Sequence, residues 1–288
     1  MNGLRLKFRV SFAIAVVTAL SACGDGDSTG PGNGVANTNF EASEDFSFTV
    51  AVTSQTSLIV NGINGNVEVT GSAAATEVTV AGTKRVKSES VEDARDNLSR
   101  LTVNASSTST AVFAETTQPA ETGGRTFIVD YRITVPASLR VEVSNLNGNV
   151  HVQQTVSNVE VVNLNGNVDL DEVAGIASVT LTNGNIDIDD HAGSVGAITT
   201  NGNVQTEAVL PLNGTLDLAS TNGNVQITVP QNTSADVTAS LANGQIRVSN
   251  LTLSNLVQTP TSLSGTLGAG EGTIDLTTVN GDVDLIGL

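Results

Sequence analysis

The sequence predicts an all-β fold, a parallel β-solenoid with coils of about 18–21 residues and one short helix near the N-terminal end. Three observations predict it. The first is a repeated corner: Asn-Gly, then a polar residue, an aliphatic one and a short alternating strand. It is written eight times, at Asn64-Gly65, Asn147-Gly148, Asn165-Gly166, Asn183-Gly184, Asn201-Gly202, Asn222-Gly223, Asn243-Gly244 and Asn280-Gly281. The second is spacing. From Asn147 the steps are 18, 18, 18, 21 and 21 residues and then 37, the last read as two coils with a degenerate turn between them. The third is that apolar residues recur at fixed offsets from each Asn. Three residues on stand Val67, Val150, Val168, Ile186, Val204, Val225, Ile246 and Val283, all β-branched and suited to a pleat. Two residues further the row is apolar except for Thr206, so both positions share one strand face. The residue between them is polar in every copy and faces water.

Asn-Gly can also close antiparallel hairpins, and an antiparallel β-sandwich is the alternative fold. A hairpin protein has no reason to keep one period with the same residue at the same offset. Stacked coils do, because equivalent residues then lie about 4.8 Å apart. The hexapeptide pattern of left-handed triangular helices is absent, which points to a right-handed solenoid.

The chain divides into four parts. Residues 1–22 read as a secretion signal: Arg5, Lys7 and Arg9, then an apolar run from Val10 to Leu20 that is too short to span a bilayer. Leu20-Ser21-Ala22-Cys23 looks like a bacterial lipobox, with Cys23, the only cysteine, as the lipidated residue. Diacylation plus an N-acyl chain exceeds the two signals that stable anchoring needs. Gly24 follows where an inner-membrane retention Asp would stand, which favours the outer membrane. Residues 23–39 are a tether rich in Gly, Asn, Asp and Ser.

Residues 40–140 carry less regular strands and form the capping end of the solenoid. FSFTVAV, SLIVNGINGNVEV, TEVTVAGTKRV, RLTVNA, TAVFAE and RTFIVDYRITVP all read as strands. Ser90 to Asp93 resembles a capping box, and Val91, Ala94, Leu98 and Leu101 follow at helical spacing. Every aromatic from Phe40 to Tyr131 lies in this part, as bulkier end packing requires. Residues 141–288 hold the regular Asn-Gly coils. The last strand, NGDVDLIGL, has no evident cap, so the sequence predicts a terminal edge open to end-to-end self-association.

This ordered set resembles a bacterial family of β-strand-repeat domains of unknown function described as putative adhesins, related to the head GIN domain proteins. The shared features are an early NGNVEV strand, a charged helix, a strand ending in Val-Pro (Tyr131 to Pro136, YRITVP) and serial strands each led by Asn-Gly. The resemblance covers roughly residues 40–288. It implies architecture and an adhesin role, with no catalytic residues to carry over.

Composition narrows the chemistry. The formal charge is −17, and the three basic residues of the signal leave with it. Nucleic acid is thereby excluded as a partner, since phosphate binding needs clustered Lys and Arg. After Arg140 the only basic residue is Arg247, which removes the base that β-helical polysaccharide lyases use. No aromatic follows Tyr131, so the coils lack platforms for sugar stacking. The sharpest chemical reading is a calcium site at Asp169, Asp171, Asp187 and Asp189, which register would bring about 5 Å apart on adjacent coils. The same residues also read as a solvated acidic face, and the Gly-Gly-x-Gly-x-Asp pattern of calcium-binding coils is absent. His151 stands one coil before Asp169 in the same outward column. The sequence thus predicts a non-enzymatic, lipid-anchored envelope module that binds a protein or glycan, with a periplasmic scaffold recruiting a protein partner as the alternative.

Overall fold

Burial alternates with period two along almost every strand, and that alternation builds a thin core between two walls. The structure, a computed structural model, describes residues 40–288. The signal at 1–22 and the tether with Cys23 at 23–39 lie outside the described residues. Twenty-two strands and one helix are present among those described.

One coil shows the plan. Val159–Asn165 runs up one wall, Gly166 and Asn167 turn the corner, and Val168–Asp171 runs along the other. Val159, Val161, Val168 and Leu170 point inward and are buried, each burial stabilising by about 1.5–3 kcal/mol. The next coil stacks on it in parallel and in register, Val161 against Val179 and Val168 against Ile186. Apolar rows therefore run continuously through the stack.

The corner explains the Asn-Gly pair. Gly184 has φ +140°, and a Cβ there would lie 2.1 Å from the Gly166 carbonyl oxygen of the coil below. Only glycine satisfies both the backbone angle and the approach. The Asn before it belongs to a side-chain ladder: Asn147 donates to Asn64, Asn165 to Asn147, Asn183 to Asn165, and so on through Asn201, Asn222, Asn280 and Asn243, at 2.8–2.9 Å. At the start of the ladder, Asn64 donates to the Phe127 carbonyl at 3.0 Å.

The order of coils in space differs from their order in sequence at both ends. The strand Gly272–Asn280 pairs on one side with Thr215–Asn222 and on the other with Ala235–Asn243. Val283–Gly287 likewise lies between Val225–Val229 and Ile246–Ser249. The last coil is thus inserted beneath its predecessor. The 37-residue step contains an antiparallel excursion, Ser254–Gln258 and Ser262–Leu267, laid on Ala235–Asn243; the reading of that step as two coils with a degenerate turn is corrected. So is the open terminal strand: Val283 and Leu285 are buried and paired on both sides. The outermost strands are Ile246–Ser249 and the excursion.

The N-terminal end repeats the device. Ser57–Asn61 and Val67–Ser72 form a regular coil lying between Ala111–Thr117 and Thr126–Pro136 on one side and the coil from Arg140 on the other. Beyond it the strands turn antiparallel, Thr126–Pro136 to Glu77–Ser88 to Phe40–Ala51. The helix Val91–Leu98 covers the core's end, Ser90 accepting from the Asp93 amide at 3.1 Å and Ala94 and Leu98 facing inward. The Arg125 guanidinium at 2.6 Å, with the Ser88 hydroxyl beside it, clamps Asp93 and holds its carboxyl down at about 2. Phe46 meets Tyr131 edge-on at 5.8 Å, and burial pushes the Tyr131 hydroxyl up to about 12.

Two glycines separate the corner constraint from ordinary strand glycine. A Cβ at Gly196 would meet nothing within 4 Å, and the backbone there lies outside the left-handed region. Gly184→Ala is expected to destabilise by at least about 2 kcal/mol through strain and overpacking, whereas Gly196→Ala stays within about 0.5 kcal/mol or stabilises slightly. Urea denaturation of the two variants checks this; equal losses would remove the steric account of the corner.

Candidate functional site

Register assembles one outward column along the second wall. In spatial order it reads Arg132, Glu68, His151, Asp169, Asp187, Gln205, Gln226, Asp284 and Arg247. Asp284 sits on the inserted last coil and pairs with Arg247 at 3.3 Å, while Arg247 also reaches Asp282 at 2.8 Å. The column's end at Arg247 therefore carries compensated charge. Its middle does not.

A parallel column two residues along holds Thr70, Gln153, Asp171 and Asp189. The four aspartates singled out from the sequence thus come together, lining an open depression with His151 and Leu170. Burial pushes the Asp169, Asp187 and Asp189 carboxyls above their ordinary range, and repulsion from neighbouring acids adds to it, Asp171 and Asp190 acting on Asp189; His151 opposes the shift at Asp169. Asp187 Oδ1 lacks both solvent contact and a hydrogen-bond partner. Each neighbouring pair repels by about 1 kcal/mol or less at strand spacing in water, more where partly buried. These carboxylates form two rows. Among the described residues, no group of three or more His, Cys, Asp or Glu side chains is placed to hold a metal ion.

His191 does not join them. It is 1% exposed, and neither ring nitrogen has a hydrogen-bond partner. Burial pushes its pKa down, with backbone groups of Ser194, Gly175 and Val173 pulling the other way. The cause is Asp190, whose φ of +50° adds a residue to the outward face and turns the next one in. Glu172 and Gln154 have the same left-handed conformation one and two coils earlier, each followed by an inward residue, Val173 and Thr155. The imidazole occupies the apolar column of the return turn, where the next coil offers only Ala208.

A second set of functional side chains escaped the sequence reading. Two residues before the corner Asn, on the inward face, Asn145, Asn163, Thr199, Ser220 and Thr278 each donate to a corner-glycine carbonyl of the adjacent coil, at 2.8–3.2 Å. Their signal was a recurring polar residue at inward parity.

The family model described as Toastrack DUF4097 matches residues 26–286. Among solved structures the chain is similar to a putative cell adhesion protein from Clostridium sporogenes ATCC 15579, at 11% identity and a TM-score of 0.39, over 85% of this chain and 100% of that one. It is similar to a putative adhesin from Bacteroides fragilis NCTC 9343 at 13% identity and a TM-score of 0.39, over 85% of this chain and 97% of that one. A putative adhesin from Parabacteroides distasonis ATCC 8503 aligns at 13% identity and a TM-score of 0.24, over 84% of this chain and 97% of that one. No curated protein matches.

The aspartate columns have a pH signature. A carboxyl with a raised folded pKa binds its proton more tightly in the folded chain, so its stabilising contribution is complete below about pH 4 and is lost as pH rises through the folded value. Asp169→Asn/Asp187→Asn should therefore be more stable than the parent at neutral pH, by a few tenths to about 1 kcal/mol after solvent screening. The gain should vanish towards pH 4. Thermal melts across pH, with and without millimolar calcium, check it: a calcium-dependent rise in the parent that is missing from the variant would identify bound cation, and no gain at neutral pH would refute repulsion.

Proposed function

The chain belongs to the Toastrack DUF4097 family, and on that premise we propose that it is a lipid-anchored, non-catalytic binding or adhesion module of the bacterial envelope. The observation that carries the reading is the unbroken register of the two walls. Side chains repeat at strand spacing from coil to coil, and packing on both faces of every interior coil holds them still. Such a surface is preorganised: it binds without first ordering its own groups. The ligand is a protein or a glycan. A glycan would be held by hydrogen bonds from the exposed amide ladder, since the regular coils offer no aromatic ring for stacking.

Attachment is assigned to the lipid on Cys23, in the outer membrane, through the tether of residues 23–39. No described helix is long and apolar enough to cross a membrane. A second reading, a periplasmic scaffold that recruits a protein by its end, is supported by the strands Ile246–Ser249 and Ser254–Gln258. Each pairs along one side only, which leaves an edge for strand addition.

Palmitate labelling of cells should mark the parent protein and leave Cys23→Ser unlabelled. Protease added to intact cells should remove the coils if they face outward. Protection of residues 141–288 in intact cells, with cleavage after outer-membrane permeabilisation, would refute surface adhesion and favour the scaffold.

A further inference from the structure

Asn-Gly is the dipeptide in which asparagine is most open to attack by the following backbone nitrogen, because glycine has no Cβ to shield it. The described chain carries ten such pairs: the eight corners, Asn61-Gly62 and Asn213-Gly214. In nine of them the glycine N–H is already engaged. At the corners it donates to the Asn carbonyl of the next coil outward, as Gly184 does to Asn201 at 2.8 Å and Gly281 to Asn243 at 2.9 Å. Gly62 donates to Ser144 at 2.8 Å, and Gly214 to Pro211 at 2.9 Å.

The tenth pair is different. Asn243 stands on the outermost coil, so no further Asn carbonyl exists for Gly244, and its N–H has no acceptor among the described residues. The antiparallel excursion does not cover it: its last bond to this strand is Leu241 to the Thr261 carbonyl at 3.0 Å. Asn243 donates to Asn280 at 2.9 Å, but its own side-chain oxygen accepts nothing. Gly244 is exposed, whereas the other seven corner glycines are half-buried.

We propose that Asn243-Gly244 is the site of spontaneous, water-driven deamidation in the folded protein, and that the engaged glycine N–H protects the other nine described pairs. The Gly244 nitrogen attacks Asn243 Cγ; the new N–Cγ bond forms, the Cγ–Nδ2 bond breaks, and ammonia leaves with the proton that the Gly244 nitrogen gives up. Water then opens the cyclic imide at either carbonyl, giving a normal or an iso-linked acid. No electrons are exchanged. Either product replaces the donor that faced Asn280 with a carboxylate, and the iso-linked form adds a main-chain methylene at the corner. Both weaken the hold of Ile246–Ser249 on Val283–Gly287. Loosening that coil releases the Gly281 N–H from Asn243, so Asn280-Gly281 becomes the second site and modification proceeds inward.

The full chain, held folded at mildly alkaline pH for weeks and then digested, tests this by mass spectrometry of each Asn-Gly peptide. Asn243 should convert on the order of tenfold faster than any other described pair, because the others need local opening first, with Asn280 next. In urea all ten should convert at similar rates. Asn2-Gly3 and Asn33-Gly34 lie outside the described residues and are left out of the ranking. Equal rates across the folded chain, or an interior pair that leads, would overturn the proposal, as would an Asn243 that stays intact while the urea sample reacts. In N243Q the early phase should disappear; if glutamine does not fit the ladder, the ratio of folded to urea rates in the parent decides.

Discussion

Nothing larger than a hydrogen fits between the corner glycine of one coil and the glycine carbonyl of the coil beneath. At Gly202 and Gly223, as at Gly184, a Cβ would fall about 2 Å from that oxygen, well inside any contact distance. This close approach lets both walls of successive coils pair at strand spacing without a gap at the turn. The other features of the corner depend on it. The amide ladder needs the Asn side chains one strand spacing apart, and the buried polar residues need a carbonyl within reach. Individually these hydrogen bonds contribute about 0.5–1.5 kcal/mol at most, and the exposed ones less. The aliphatic rows supply most of the stability, while the corner fixes which residue lies over which.

Fixing the register also explains the inverted ends. A solenoid frays from its terminal coils, because each is held on one face only. Here the first and last Asn-Gly copies, Asn64 and Asn280, are both interior. The corner makes the coils interchangeable in their pairing surface, so the chain can place a later coil beneath an earlier one at no cost in contacts. It does cost chain entropy, since the loop from Asn243 must close before the last coil gains partners. The return is that neither the first nor the last described coil can peel away alone.

Interchangeability also set what the sequence could reveal. The strands, the corners, the inward rows and the helix with its Ser90 cap were all legible, because each has a local physical cause. Coil order was not. A 37-residue step fits a degenerate coil and an inserted one equally well, and the inserted coil carries the same pattern as its neighbours. The inward place of His191 was hidden for another reason. Counting by two from Ile188 puts it beside the outward acids, and the left-handed Asp190 breaks the count. Aligning the 18-residue repeats would have found it, since IDDH, LDEV and VQQT place His191 in the column of Val173 and Thr155. The inward Asn145 and Asn163 were legible in the same way, as polar residues at buried parity.

The middle aspartates follow from the same constraint. In a flexible segment, Asp169 and Asp187 would relieve their repulsion by moving apart. Here the backbone cannot shift without breaking every ladder it shares with the coils on either side. Part of the stability of the apolar rows is therefore held as electrostatic strain, in the coils where the column carries acids and its neighbours, Gln205 and Gln226, are neutral. Towards the far end Arg247 compensates Asp282 and Asp284, although that coil is held on one face only. Uncompensated charge thus sits where the stack is best supported, and compensated charge where support is weakest. Any ligand that neutralises the middle column would recover stability already present in the fold, so the acids, and not the repeated corners, distinguish this stack from a neutral one.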